Sequence, residues 1–172
     1  MIAQASIPDV LRQHLTDASP LLLVTDMDAL DRSLAAIAVA FPPDTLHAVA
    51  VKANNQEPLM RRIAERGFGF EVASSSELTM ALGQVEAERV VYDAPAKTRA
   101  EISRALSAGV RLNVDSIQEL QRVAAFGPVG RVGVRINPGG RVGAVPGSST
   151  AIPGSKFGID LHEDGEELLS LL

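Results

Sequence analysis

Five short apolar runs begin near Leu46, Phe68, Arg89, Val110 and Arg131, roughly 21 residues apart, and spacing this regular means a repeated unit. Each run is rich in Val, Ile or Phe. Three are followed by a hydroxyl residue with a glutamate three positions later: Ser74 with Glu77, Thr98 with Glu101, and Ser116 with Glu119. This is the capping-box pattern, in which the hydroxyl accepts from one free backbone N–H of a new helix and the glutamate reaches back to another. Segments of helical period follow: Leu78, Leu82 and Val85; Ile102 and Leu106; Leu120, Val123 and Ala124. Gly67 and Gly109 stand where helices must end.

Strands alternating with capped helices argue for βαβ units and a parallel sheet. Strand parity chooses between a doubly wound sheet and a barrel. Ala48, Ala50 and Lys52; Gly69, Glu71 and Ala73; Arg111, Asn113 and Asp115; and Gly133, Arg135 and Asn137 all fall opposite the large apolar residues of their strands. A doubly wound sheet is covered on both faces and should be apolar on both, whereas a barrel tolerates polar residues inside at its C-terminal mouth. The expected fold is therefore α/β, a partial (β/α)8 TIM-like barrel of about five units. Eight units would need three more, and the last stretch, His162 to Leu172, opens a helix of glutamates followed by leucines. On this reading the chain is a fragment of a longer barrel.

The tract His47-Ala48-Val49-Ala50-Val51-Lys52-Ala53-Asn54 places a lysine at the end of one such run, directly before a turn. Ala48 and Ala50 share its face, so the long amine stands beside empty space, as a ligand-holding amine would. A surface lysine at a strand end is the plain alternative.

Composition narrows the function. The chain has 172 residues, 46% of them hydrophobic, with 16 basic against 21 acidic residues and a net charge of -5. No Lys/Arg block supplies the footprint of a nucleic-acid binder. Without cysteine there is neither disulfide nor thiolate metal site, and His14, His47 and His162 lie too far apart in sequence to suggest metal ligands. Leu34 to Phe41, the longest helical apolar run, is far too short to cross a bilayer, and the first ten residues lack the basic stretch of a leader. No membrane partner and a cytoplasmic location are the default expectations.

Four tracts in order, AVAVKAN (48–54), GFGFEVASSSEL (67–78), NVDSIQEL (113–120), and VRINPG (134–139) with SKFGI (155–159), resemble the pyridoxal-phosphate-dependent decarboxylases of the alanine-racemase-type barrel. That group includes ornithine, diaminopimelate and biosynthetic arginine decarboxylases. The likeness runs across nearly the whole chain. Residues 20–26 also resemble the family's lead-in strand, which gives an expected division into an N-terminal helix and lead-in strand (1–27) and an incomplete cofactor-binding barrel (28–172).

The resemblance implies pyridoxal 5'-phosphate as cofactor, an amino acid as substrate, and a homodimer in the complete form. It implies Lys52 as the catalytic Schiff-base lysine, with Glu71 (more often aspartate in the family) and Arg135 beside it as cofactor-binding residues. Parity suggests further that Glu71 and Arg135 form one electrostatic unit, a barrel-interior salt bridge without catalytic duty being the alternative. Tyr92 to Thr98 resembles the family's third βα loop, and its plain role is a turn and N-cap. Ser155 to Gly158 resembles a loop packed beside the cofactor, and the Gly/Ser/Pro-rich tract from Gly139 to Gly154 is expected to be mobile. The family's phosphate-cradling glycines, ring-stacking histidine, ring-nitrogen glutamate and partner-subunit cysteine loop have no counterpart in these residues, so the chain alone is expected to be inactive. An amino-acid racemase of the same fold fits poorly, because its lysine tract continues into Tyr-Gly where this chain has Asn54 to Glu57. A non-catalytic, decarboxylase-like regulator remains the alternative from another class.

Overall fold

The computed structural model describes residues 9–138, 152 and 154–171. In chain order its elements are α1 (Asp9–Arg12), α2 (Met27–Ala40), β1 (Ala48–Ala50), α3 (Glu57–Glu65), β2 (Gly69–Val72), α4 (Ser75–Leu82), β3 (Val90–Asp93), α5 (Arg99–Ala108), β4 (Arg111–Val114), α6 (Ile117–Ala124), β5 (Val132–Val134), β6 (Ile136–Asn137), β7 (Ile159–Asp160) and α7 (Leu161–Leu171). Strands β1 to β5 form one parallel sheet in strictly sequential order, and β6 pairs with β7. A doubly wound sheet reverses its strand order at a switch point. This one does not, which favours the barrel.

Burial agrees with that choice. Phe70, Val72, Val90, Tyr92, Leu112 and Val114 are almost completely buried, in one core with Met60 and Ile63 of α3, Leu78 and Ala81 of α4, Ile102 and Ala105 of α5, and Val123 of α6. Their strand neighbours Glu71, Ala73, Val91, Asp93, Asn113 and Gly133 are only half-buried. One face is packed by helices and the other is polar or small, as parity required.

Local chemistry sets the helix ends. Asp26 caps α2 by accepting from the Ala29 N–H at 2.9 Å, and Pro42 and Pro43 follow its end. Gly67 and Gly109 take φ of +84° and +77°, the left-handed conformation that ends α3 and α5 at low cost. Of the three capping boxes, only Thr98 with Glu101 is complete. Ser74 and Ser116 accept from the N–H of Glu77 and Glu119, but those glutamates reach one residue further back, to the N–H of Ala73 (2.7 Å) and Asp115 (2.9 Å).

Residues 20–26, expected to form a lead-in strand, join neither sheet. No described strand lies beside them to complete a ladder, and Leu21 and Leu23 stand exposed. Of the expected N-terminal helix, residues 1–8 lie outside the described residues, as do 139–151 and 153 of the tract expected to be mobile. His47 stacks on Phe68 and meets Phe41 edge-on, at centroid distances of 5.1 and 5.3 Å, so its role is packing.

Candidate functional site

The strand β1 ends at Ala50, and residues Val51–Ala53 form a single 3₁₀ turn rather than a continuation of the strand. Val51 is buried, and this anchors the turn and leaves Lys52 on the outside of it. The Lys52 side chain is 62% exposed, and its Nζ lies 3.4 Å from Glu71 Oε1 on the neighbouring strand. The chain has three lysines. Lys97 is buried in an ion pair, Lys156 lies in a loop 5.2 Å from the Phe157 ring centroid, and Lys52 alone stands at the C-terminal end of a sheet strand with an accessible amine.

Arg135 follows β5, at the same end of the sheet. Its Nη1 donates to Asp115 Oδ1 at 3.1 Å and lies 3.8 Å from Asp93 Oδ1, and its guanidinium covers the Phe157 ring at 4.8 Å. The expected Glu71–Arg135 unit is therefore corrected: Glu71 pairs with Lys52, and Arg135 with Asp115 and Asp93. Glu71 is on β2 and Arg135 follows β5, so three strand spacings of roughly 4.8 Å separate their strands, and Asp93 at the end of β3 and Asp115 just after β4 stand between. The second oxygen of Asp115 accepts from the Gly158 N–H at 3.0 Å, which holds the Ser155–Gly158 loop to the sheet. Asp93 Oδ1 is buried and receives no hydrogen bond, while its Oδ2 accepts weakly from Asn113 at 3.4 Å.

Beside this cluster lies a group that the sequence reading missed. Lys97 and Glu119 are both buried, with Nζ 2.9 Å from Glu119 Oε2. The lysine precedes an N-cap and the glutamate belongs to a capping motif, so each has an ordinary local role that concealed the contact. The bare tract Ala94-Pro95-Ala96 before Lys97 was the available signal, since nothing there competes for the amine.

Behind the sheet, Tyr92 donates to Glu101 Oε1 at 3.1 Å. Burial, and then the Glu101 charge, raise the Tyr92 hydroxyl above its ordinary value, while the Thr98 N–H lowers the Glu101 carboxyl. An open cleft of about 600 Å³ lies elsewhere, at the N-terminal ends of β4 and β5 between Glu88, Arg111 and Arg131. Barrel chemistry sits at C-terminal strand ends, where Lys52 and Arg135 are, so the cleft is not the site. Among the described residues no group of three His, Asp or Glu could hold a metal ion, and no helix is long and apolar enough to cross a membrane.

The family model for the pyridoxal-binding domain of pyridoxal-dependent decarboxylases matches residues 27–172. The chain belongs to this family. Diaminopimelate decarboxylase of Archaeoglobus fulgidus is 39% identical over 145 residues, 81% of this chain and 34% of that protein. The Deinococcus radiodurans enzyme of the same name is 35% identical over 93% of this chain and 45% of its own. Among solved structures, Helicobacter pylori diaminopimelate decarboxylase complexed with L-lysine superposes with a TM-score of 0.77 at 28% identity, over 84% of this chain and 39% of the other. The arginine decarboxylase of Paramecium bursaria Chlorella virus, bound to agmatine, gives 0.72 at 26% identity, over 94% and 42%. The chain thus spans 34 to 45% of the length of these four relatives, and its sheet is five strands of the family's barrel.

Pyridoxal phosphate is the cofactor of pyridoxal-dependent decarboxylases, and this sheet end suits it. An accessible primary amine stands just past the C-terminal end of β1, a carboxylate lies beside it, and a buried carboxylate oxygen of Asp93 lacks a donor. The one-third-exposed guanidinium of Arg135 is fixed from two sides, by Asp115 and by Phe157.

Proposed function

We propose that this chain is the cofactor-binding portion of a pyridoxal-phosphate-dependent decarboxylase acting on a diaminopimelate- or ornithine-type amino acid, with Lys52 as the lysine that holds the cofactor, Glu71 beside it, and Arg135 as a further cofactor-binding residue at the same end of the sheet. The observation that carries this reading is the placement of Lys52: a free amine at the C-terminal end of β1, facing a carboxylate on the sheet's small and polar face. When bound, pyridoxal phosphate supplies an aldehyde for an amine to condense with and a conjugated ring that takes up the electron pair left as the Cα carboxylate departs.

The chain's own residues prepare for this. Glu71 Oε1, 3.4 Å from Nζ, holds the amine in place at the strand end, where it can meet an aldehyde. Arg135 offers a fixed cation to an anionic group, because Asp115 and Phe157 have already taken away its freedom to swing. Diaminopimelate is favoured as substrate because the Archaeoglobus, Deinococcus and Helicobacter relatives bear its name. A homodimer and a cytoplasmic setting, implied by the family resemblance, belong to the same proposal.

Reduction with borohydride in the presence of pyridoxal phosphate, followed by peptide mapping, tests the assignment. The pyridoxyl group should lie on the peptide containing Lys52. Recovery on Lys97 or Lys156, or no incorporation at all, would overturn it.

A further inference from the structure

Glu119 makes more contacts than a capping residue needs. One carboxylate oxygen accepts from the Lys97 backbone N–H at 3.1 Å, and the other accepts from the Asp115 N–H at 2.9 Å and meets Lys97 Nζ at 2.9 Å. The lysine is held as fully. Its Nζ also donates to Ala94 O at 2.8 Å and lies 5.8 Å from the Tyr92 ring centroid, and its carbonyl accepts from Arg122 at 3.0 Å. Both side chains are essentially without solvent access. A buried ion pair adds little net stability, because desolvation offsets most of the attraction, so its presence calls for another reason.

Its position supplies one. Glu119 ties the loop after β3 to the turn after β4, and the residue it grips in that turn is Asp115. The carboxylate of Asp115 in turn holds the Arg135 guanidinium on one oxygen and the Gly158 N–H on the other. From Lys97 to Arg135 every link is a charge-assisted hydrogen bond to a buried acceptor, and such bonds are short and directional. We propose that Glu119, locked by Lys97, is a positioning residue: it fixes the backbone of Asp115 and thereby sets the orientation of Arg135 and the Ser155–Gly158 loop at the C-terminal end of the sheet, the end that also carries Lys52. The cofactor-affinity part of this inference rests on the proposed function, but the orientation of Arg135 does not.

The test uses this chain with Lys97→Met and Glu119→Leu combined. This double change removes both charges while filling similar volume, so that no ion is left buried alone. The first measurement needs no cofactor: ¹⁵N-resolved NMR of the Gly158 amide and the Arg135 guanidinium. If Glu119 positions, the double variant still unfolds cooperatively, at a melting temperature lowered by the two backbone N–H groups it strands, and both signals move toward their positions in Asp115→Asn. If they stay at wild-type values in a folded double variant, Glu119 is merely structural and the proposal fails. Should the double variant not fold, Glu119→Asp keeps the charge that Lys97 needs but is too short to reach both backbone N–H groups, and the same two signals decide in the same way. The second measurement is pyridoxal phosphate affinity, expected to weaken by about 10-fold or more, the scale on which partners orienting a ligand-holding group act. Unchanged affinity in a variant whose Arg135 signal has moved would refute the link to the site. A wild-type chain that takes up no pyridoxal phosphate would sink the proposed function instead, and leave the NMR result to judge the positioning.

Discussion

Asp115 holds Arg135 and Gly158 with its two carboxylate oxygens, at 3.1 and 3.0 Å, and so binds the end of β4 to a residue beyond β5 and to a loop 43 residues away. The carboxylate is buried while the guanidinium is one-third exposed. Replacing Asp115 by alanine should therefore strand the Gly158 N–H and free Arg135 to swing into solvent, at a cost of roughly 2 to 3 kcal/mol. Urea unfolding of Asp115→Ala against wild type measures it, and a loss below about 0.5 kcal/mol would show that the carboxylate organises nothing.

The partner assignment has its own signature. Glu71 and Arg135 share no contact, so Glu71→Gln and Arg135→Met should be additive in stability to within about 0.5 kcal/mol. Asp115→Asn with Arg135→Met should not be additive, since the two residues touch. A coupling energy above about 1 kcal/mol between Glu71 and Arg135 would restore the pairing that parity suggested.

The contrast between those two pairs shows how far the sequence could be read. Strand positions, the caps at Ser74, Thr98 and Ser116, and the stops at Gly67 and Gly109 are local events, written in residues three or four apart. Which face Glu71, Asn113 and Arg135 occupy follows from counting by twos. Who touches whom across the sheet depends on register and strand order, and parity carries neither, so Arg135 was matched to a carboxylate three strands away while Asp115 lay nearer. Lys97 escaped for another reason. It lies in a loop, where no period says whether a long side chain points in or out, and only the packing of α6 against the loop decides that it is buried.

Two glycines should separate steric need from mere convenience. Gly158 has φ +77°, and an added Cβ would stand 2.8 Å from the Asn137 nitrogen and 2.9 Å from the Ile136 carbonyl carbon. Gly158→Ala combines left-handed strain with a backbone clash and should cost at least about 2 kcal/mol. Gly130 has open space around its Cβ position and no positive φ, so Gly130→Ala should change stability by less than about 0.5 kcal/mol. Thermal melts of the two variants side by side provide the comparison, and similar midpoints would contradict the close approach at Gly158.

Tyr92 and Glu101 predict opposite limbs of the pH profile. The folded state raises the Tyr92 hydroxyl, chiefly by burial, so its contribution is complete below the ordinary tyrosine value of about 10 and declines as pH rises through it. The folded state lowers the Glu101 carboxyl, chiefly through the Thr98 N–H, so that contribution is present above the ordinary glutamate value and is lost as pH falls through the depressed one. Tyr92→Phe should flatten chiefly the alkaline limb, and Glu101→Gln the acid limb together with part of the alkaline one, because the Glu101 charge helps raise the tyrosine; chemical unfolding across pH reads both. Unaltered limbs in both variants would mean that neither group titrates differently on folding.

Lys52 offers the sharpest separation of fold from function. Its side chain is mostly exposed, and its ion pair with Glu71, at 3.4 Å, is of the kind that contributes about 0 to 1 kcal/mol. Lys52→Ala should therefore unfold within about 0.5 kcal/mol of wild type and leave the Asp115–Arg135 contact untouched, because no bond of that cluster passes through it. It should nevertheless abolish borohydride-stable retention of pyridoxal phosphate. Lys52→Arg should abolish it as well, since a guanidinium keeps the charge beside Glu71 but has no amine to condense with an aldehyde. Mass spectrometry of the reduced proteins reads the outcome. Retention at wild-type level in either variant would mean that the amine facing Glu71 is only a surface lysine at the end of a strand.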